Sequence, residues 1–298
     1  MLTVLVALGA LVGVVAGARM VLVRTHPVVT APPAHTFPRK YVGIVSYDVT
    51  KFDQRCGCVP NVAVHYIHVG GAIKMGFVHS IVATGAIPML ELEPYDASFA
   101  KIASGGEDGW LSRYARAVSS LHSPVIMSFA PEANGTWYPW AFPHESPGAF
   151  VSAWRHVVTV FRRAGVRNVK WAWIVNVQFA GSENIRLLWP GSAFVNILGL
   201  DGYFITPTTF QDFFGPTIVV MRSLSPDPLL ITETAAAPSV GKVSALRQLT
   251  AGVAQYGLAG FVWFDVRQHG SRTRQDWTLE DERGALQRYS RDVKRATG

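Results

Sequence analysis

Two carboxylates stand out in this 298-residue sequence because each accompanies a short apolar run typical of a buried β-strand. Glu132 comes just after PVIMSFA (residues 124–130), and Glu233 lies near the end of PLLITET (228–234). Polar residues at the carboxyl ends of parallel barrel strands gather at one mouth, where active sites form. Two carboxyl groups about 5 Å apart in such a pocket cleave glycosidic bonds with retention of configuration. Glycosidic cleavage by one acid and one nucleophile is therefore the first hypothesis.

Other polar residues occupy comparable strand ends. They are Asp48, Glu91, Glu93, Asp201, Tyr203 and Asp265. Glu91 and Glu93 share one strand face, so they form either a rival acid pair or a binding site for the distant sugars of a chain. Asn176, just past another strand, is a further candidate for substrate contact. The competing interpretation of Glu132 is a partner in a surface ion pair. The competing interpretation of Glu233 is a cap of the next helix.

The elements that would position these residues follow a regular alternation from residue 41 onward. Short β-branched or aromatic runs alternate with longer amphipathic stretches, which is typical of a parallel α/β fold. Eight such runs occur, at 41–47, 62–69, 86–92, 124–130, 169–175, 197–203, 228–234 and 259–265. The sequence therefore predicts a single (β/α)8 barrel over residues 39–298. A doubly wound sheet is the alternative, but no G-x-G-x-x-G loop follows the first strand.

The clearest helix is predicted over residues 146–164. Pro147 suits a first-turn position, and Gly165 suits the end of a helix. One apolar stripe at helical spacing is expected to face the core, and it comprises Phe150, Trp154, Val157, Val158 and Phe161.

Residues 1–24 are interpreted as a signal peptide or a membrane anchor. Residues 2–17 are almost entirely apolar, and Ala16-Gly17-Ala18 has the small-x-small form of a cleavage site. The apolar stretch resumes at 20–23, so residues 2–23 approach the length that spans a bilayer and provide a possible membrane attachment.

The placement of charge around this segment opposes export. Arg19 and Arg24 lie on its C-terminal side, whereas the positive-inside rule would place such residues before it. The expectation is nevertheless an exported domain, secreted or anchored, that follows a Pro-rich linker at 25–38.

Composition limits the partners. The chain carries a net charge of +7 with only 16% charged residues, and it contains nine Trp, nine Tyr and sixteen Phe. The charge would suit an anionic membrane or wall polymer, and the aromatic rings would suit sugars. The basic residues are dispersed, which argues against nucleic acid, and a monomer is expected. The densest basic group is a solvated helix face: Arg283, Arg288, Arg291, Lys294 and Arg295.

Cys56 and Cys58 lie close in sequence to His65 and His68, so a zinc site is one interpretation. The two histidines fall in VAVHYIHV, and residues three apart on a strand point to opposite faces. A tight disulfide or two free thiols is therefore the simpler interpretation.

Longer stretches carry a family resemblance. PEANGTWYPW (131–140) and AWRHVVTVFRRAGVRNVKWAW (153–173) resemble the acid/base region of glycoside hydrolase family 26, the β-mannanase-like enzymes. Three other stretches agree in order and spacing, namely 102–117, 188–203 and 229–235. The resemblance runs from about residue 41 to 290, and it implies a (β/α)8 barrel that acts on a β-linked polysaccharide.

The resemblance assigns roles to single residues. It makes Glu132 the general acid/base and Glu233 the nucleophile of a retaining reaction that needs no metal or cofactor. Further residues would bind or shape the sugar subsite: Trp137, Tyr203, Asp201, Trp263 and Asn134. Trp137 would stack on a sugar, Tyr203 would orient the nucleophile, and Trp263 would form the floor.

Two positions depart from the family pattern. The family usually has His before the acid and Arg four residues before it, where this chain has Pro131 and Ser128. The sugar accepted at the cleavage site is therefore left open among β-mannan, β-glucan, xylan and an exopolysaccharide. A catalytically silent carbohydrate-binding barrel is the other alternative, although it does not need both Glu132 and Glu233.

Overall fold

A computed structural model describes residues 36–268 and 275–297. Eight parallel strands form a closed barrel in sequential order. The strands are β1 Tyr41–Val45, β2 Val62–His68, β3 Ile87–Glu93, β4 Val125–Phe129, β5 Val169–Asn176, β6 Ile197–Asp201, β7 Leu229–Thr234 and β8 Gly260–Phe264. The α/β class and the barrel predicted from the sequence are confirmed. The predicted leader and most of the linker lie outside the described residues.

Helices surround this barrel. They are α1 Val49–Cys56, α2 Gly76–Thr84, α3 Phe99–Ala103, α4 Asp108–Ser119, α5 Pro147–Arg163, α6 Phe210–Leu224, α7 Lys242–Gln255 and α8 Ala285–Thr297. Three short 3-10 turns lie at Ile185–Leu188, Ser192–Phe194 and Leu279–Asp281. Within residues 36–268 and 275–297, no helix is long and apolar enough to cross a membrane.

The barrel closes where β1 pairs with β8, in a register that runs from Tyr41 opposite Gly260 to Val45 opposite Phe264. All five residues of each of these two strands are buried, as expected when parallel strands are covered on both faces.

Helix α5 shows how the sequence specifies its own boundaries. The Ser146 hydroxyl accepts a hydrogen bond from the Ala149 N–H at 3.2 Å, and Pro147 follows in the first turn. The chain leaves the helix at Gly165, which has a left-handed φ of 75°. The predicted apolar stripe is buried, and Trp154 packs edge-on against Trp171 of β5. The buried stripe fixes α5 beside β4 and β5, which position the acid-bearing loop.

The Cys56–Cys58 pair is a disulfide with Cα atoms 5.1 Å apart. His65 packs on the Phe77 ring, while His68 lies 2.8 Å from an Asp96 carboxylate oxygen. The zinc interpretation therefore fails, because the disulfide withholds both thiolates and the two histidines have separate neighbours.

Candidate active site

A cavity of about 740 Å³ opens at the carboxyl ends of the strands. Six residues selected from the sequence line it: Glu93, Glu132, Trp137, Asn176, Tyr203 and Glu233. The other lining residues are Tyr66, Tyr95, Tyr138, Val177, Phe179, Ile205, Phe213, Phe264, Gln268 and Trp277. The cleft therefore brings Glu132 and Glu233 into one space with many aromatic rings.

Glu132 is presented by an unusual backbone after β4. Ala130 and Glu132 have φ angles of 46° and 53°, in the left-handed region that is costly for residues with a side chain. The Glu132 N–H donates to the Ile174 carbonyl at 3.1 Å, and the Trp140 indole donates to the Pro131 carbonyl at 2.9 Å. These bonds hold the strained turn in place.

An amide clamp ties this turn to β5. The Asn134 side chain donates to the Asn176 carbonyl at 2.9 Å and accepts from the Asn176 N–H at 2.8 Å. The Asn176 side-chain amide then donates to Oε1 of Glu132. Asn134 is fully buried and does not line the cleft, so it shapes the loop and has no surface for substrate contact.

Glu132 is held as a weak acid. It is 7% exposed, and burial together with the nearby Glu233 charge raises its pKa to about 7. Hydrogen bonds from Asn176 and Trp137 act in the opposite direction because they favour the anion. In the part of the chain that the structure describes, no lysine or arginine forms a salt bridge with it, so the surface ion-pair interpretation fails.

Glu233 lies near the end of β7 and receives two phenol hydrogen bonds. Tyr203 donates to Oε2 at 2.5 Å, and Tyr66 donates to Oε1. Burial raises the pKa of Glu233, while both phenols lower it by stabilising the anion. The Glu233 side chain is thus bound within the cleft, and the helix-cap interpretation fails. The two phenols fix its orientation and favour the charged form required of a nucleophile.

Trp137 forms an aromatic wall beside Glu132. Its indole N–H donates to Oε2 of Glu132 at 2.7 Å, and its ring stacks on Phe179 with centroids 5.8 Å apart. The ring is 47% exposed, which leaves a face free for a sugar. A Cβ built on Gly135 would lie 2.5 Å from this ring, so a larger residue at that position would force the ring or the loop to move.

Two of the selected residues do not reach the cleft. Trp263 is fully buried, and its indole donates to the Trp277 carbonyl at 3.0 Å. Asp201 is 1% exposed and accepts a 2.6 Å hydrogen bond from Thr232. Neither side chain lines the cavity, so the structure offers no exposed surface on either for the predicted sugar contact, and that role stays a prediction. Trp277 lines the cleft where Trp263 was expected to form the floor.

Glu91 and Glu93 occupy different depths. Glu93 lines the cleft, and burial followed by the Glu233 charge raises its pKa to about 7. Glu91 is 1% exposed in the barrel interior, where burial raises its pKa well above the usual range. Of the two residues, only Glu93 is placed to contact the distant sugars of a chain. Glu91 and Glu93 cannot act as a rival acid pair in the cleft, because the Glu91 carboxyl does not reach it.

Four cleft residues are not among those predicted from the sequence: Tyr66, Tyr138, Phe179 and Trp277. Tyr66 lies in register with Glu91 across β2 and β3, two residues before the end of its strand. Its place near the carboxyl end of a barrel strand is a sequence signal for a cleft residue. Phe179 and Trp277 lie in loops, where no periodicity indicates the direction of a ring.

A model of glycosyl hydrolase family 26 matches residues 94–266, more than half of the chain. The chain therefore belongs to glycosyl hydrolase family 26. A region of Endoglucanase H from Acetivibrio thermocellus is 29% identical over 174 residues. That match covers 54% of this chain and 19% of the relative, so the chain spans less than a fifth of that protein.

Solved structures of the family share the fold. The catalytic domain of an endo-β-1,4-mannanase from Bacillus sp. JAMB-750 superposes with a TM-score of 0.66 at 15% identity, covering 86% of this chain and 85% of that one. A β-mannanase from Bacteroides ovatus gives 0.64 at 17% identity, covering 87% and 88%. A modular endo-β-1,4-mannanase from Cellulomonas fimi gives 0.63 at 15% identity, covering 85% and 70%. At these identities the likeness establishes the barrel fold.

Proposed function

We propose that the chain is a retaining endo-acting glycoside hydrolase, with Glu233 as nucleophile and Glu132 as general acid/base. The observation that carries this proposal is the contrast between the two carboxyls within one cleft. Glu132 has a pKa of about 7 and suits a proton donor near neutrality, whereas two phenols favour the charged form of Glu233. Two carboxyls with separate environments take separate roles.

The reaction proceeds in two displacements. The Glu233 carboxylate attacks the anomeric carbon, the glycosidic C–O bond breaks, and Glu132 gives its proton to the departing oxygen. A covalent glycosyl ester on Glu233 results. Glu132, now anionic, takes a proton from water while that water attacks the anomeric carbon, which frees Glu233 and returns the proton to Glu132. The sugar leaves with its original configuration.

A β-mannan-like polysaccharide is the first substrate we propose. The open aromatic cleft suits an extended chain of sugars, and solved structures named as β-mannanases share the barrel. β-Glucan is the second, because the curated relative carries the name Endoglucanase H. Ser128, where the family usually has an arginine, is fully buried and does not line the cleft. The binding energy of an arginine at the reacting sugar is therefore missing, which supports testing both polymers.

The test is a panel of β-mannans, β-glucans and xylans incubated with the wild-type chain, Glu132→Ala and Glu233→Ala. Hydrolysis of one polymer by the wild type and its loss in both variants would support the proposal. Glu183→Ala, in the loop after β5, is the control and is expected to retain activity. Binding of a polymer without any hydrolysis would instead identify a carbohydrate-binding barrel.

A further inference from the structure

The end of the barrel opposite the cleft has a distinct surface, which we call the basal face. It consists of the connections that lead into the strands: 36–40, 57–61, 85–86, 120–124, 164–168, 195–196, 225–228 and 256–259. In these eight connections, all described by the structure, the only carboxylate belongs to Asp227. The basic residues in them are Arg39, Lys40 and Arg167. The basal connections are therefore predominantly cationic.

The helices add positive charge at the same end, because each crossover helix runs back toward the strand starts. Basic residues in their last turns are Arg116, Arg162, Arg163, Arg222, Lys294 and Arg295. Such residues partly serve to offset the negative end of a helix dipole. That explanation does not apply to Arg39 and Arg167, which lie outside helices.

Several of these cations are available to a partner. Arg39, Arg163, Arg167, Lys294 and Arg295 are exposed. None of these five side chains makes a hydrogen bond or ion pair within the described part of the chain. Beside the cleft, by contrast, the cations Lys51, Arg55 and Arg267 each form a salt bridge with a carboxylate. The exposed cations of the basal face differ from them in having no such partner among the described residues.

The chain also enters the barrel at this face. Phe37 lies under the Lys170 ammonium, which is 4.3 Å from the ring centroid. Thr36 and Pro38 line a concavity of about 450 Å³ together with Lys294. The nearly continuous apolar run at residues 2–23 precedes this entry by only twelve residues, which span at most about 45 Å even when fully extended. A membrane that holds this run therefore keeps the basal face within reach.

We propose that the basal face docks on a bilayer that exposes anionic lipid headgroups, and that this docking turns the cleft away from the membrane. The chain that leads from the apolar run enters the barrel at the same end as the unpaired cations, so both favour the same orientation. A bilayer fits better than a soluble polyanion because the apolar run supplies the first contact. Each basic side chain near an anionic leaflet strengthens binding about fivefold.

The test is a competition between phosphatidylcholine vesicles with and without phosphatidylglycerol, separated by flotation after mixing with the full chain. A basal variant combines Arg39→Gln, Arg163→Gln, Arg167→Gln and Lys294→Gln. A matched control removes the same charge from other faces: Lys74→Gln, Arg186→Gln, Arg247→Gln and Arg283→Gln. At low salt, the ratio of binding to anionic over neutral vesicles should be at least about tenfold higher for the wild type and the control than for the basal variant. About 0.5 M salt should abolish this difference.

A second measurement reports the orientation. Spin labels on Arg167→Cys and Arg186→Cys, introduced singly into vesicle-bound full chain, are exposed to lipids with a paramagnetic headgroup chelate. The spectrum of the label at position 167 should be broadened by the chelate, whereas the spectrum of the label at position 186 should not. Equal broadening, or equal loss of anionic preference in the basal and control variants, would overturn the proposal. Basal-face binding to a soluble polyanion without any vesicle preference would also overturn it and favour an anionic polymer as partner.

Discussion

The indole N–H of Trp137 donates to Oε2 of Glu132 at 2.7 Å. One side chain therefore serves both as an exposed aromatic surface and as a control on the acid, because its hydrogen bond favours the carboxylate and lowers the pKa. The bond stabilises the form that Glu132 takes after it has given up its proton.

Trp137→Phe should separate these two effects, since it keeps an aromatic ring and removes the donor. Loss of the hydrogen bond raises the pKa of Glu132, so the alkaline limb of the kcat/KM profile should move to higher pH than the wild-type value near 7. The profile is measured on the polymer that the wild type hydrolyses. Tyr138→Phe is the control, since its hydroxyl makes no described hydrogen bond to Glu132; an unchanged limb in Trp137→Phe would contradict the role of the indole.

Tyr203→Phe and Tyr66→Phe should weaken the nucleophile. Each removes a donor that favours the Glu233 anion, so the pKa of Glu233 rises and the acidic limb moves to higher pH. We expect each change to lower kcat about 10- to 100-fold. The double variant should be less active than either single variant, and a kcat equal to that of the wild type in both single variants would refute the assignment.

Gly135→Ala should disturb the aromatic wall. Its Cβ would lie 2.5 to 2.7 Å from atoms of the Trp137 ring, and either the ring or the loop must move. We expect a stability loss of about 1–3 kcal/mol and a raised KM. Chemical denaturation and steady-state kinetics measure these effects. Gly148→Ala is the matched control, because an added Cβ there meets open space; similar losses in both variants would exclude the steric explanation.

Glu93→Gln should stabilise the protein at alkaline pH. Because the folded-state pKa of Glu93 is about 7 and lies above its ordinary value, its contribution to stability is full in acid and is lost as the pH rises through about 7. The substitution removes this penalty and should raise the free energy of unfolding by about 2 kcal/mol at pH 8, with much less effect at about pH 4. Denaturant titrations at both pH values test this, and an equal gain at both would show that charge is not the cause.

The barrel could be predicted from the sequence because its strands are continuous apolar runs of the length that a doubly covered strand requires. Glu132 and Glu233 could be placed in the cleft because each lies at or just after the carboxyl end of such a run. The direction of a strand-end side chain was less predictable. Phe264 faces the cleft, so strand alternation turns its neighbour Trp263 into the core.

Asp201 illustrates a second limit. The pairing of β6 with β7 shifts register between Leu200 and Asp201, and such an irregularity redirects side chains in a way that no sequence pattern reveals. The positive φ of Glu132 was equally hidden, since glycine would be the usual signal for that backbone. The electrostatic contrast between the two carboxyls depends on Tyr66 and Asn176, which come from other strands.

Azide rescue distinguishes the two proposed roles, in which Glu233 carries the sugar and Glu132 moves the proton. Glu132→Ala and Glu233→Ala are each supplied with an aryl glycoside that has a good leaving group and with azide, and the products are assigned by NMR. We expect a β-glycosyl azide from Glu132→Ala, because azide attacks the glycosyl-enzyme, and an α-glycosyl azide from Glu233→Ala, because azide replaces the nucleophile. The same anomer from both variants, or the opposite anomer from each, would show that Glu132 and Glu233 do not have these roles.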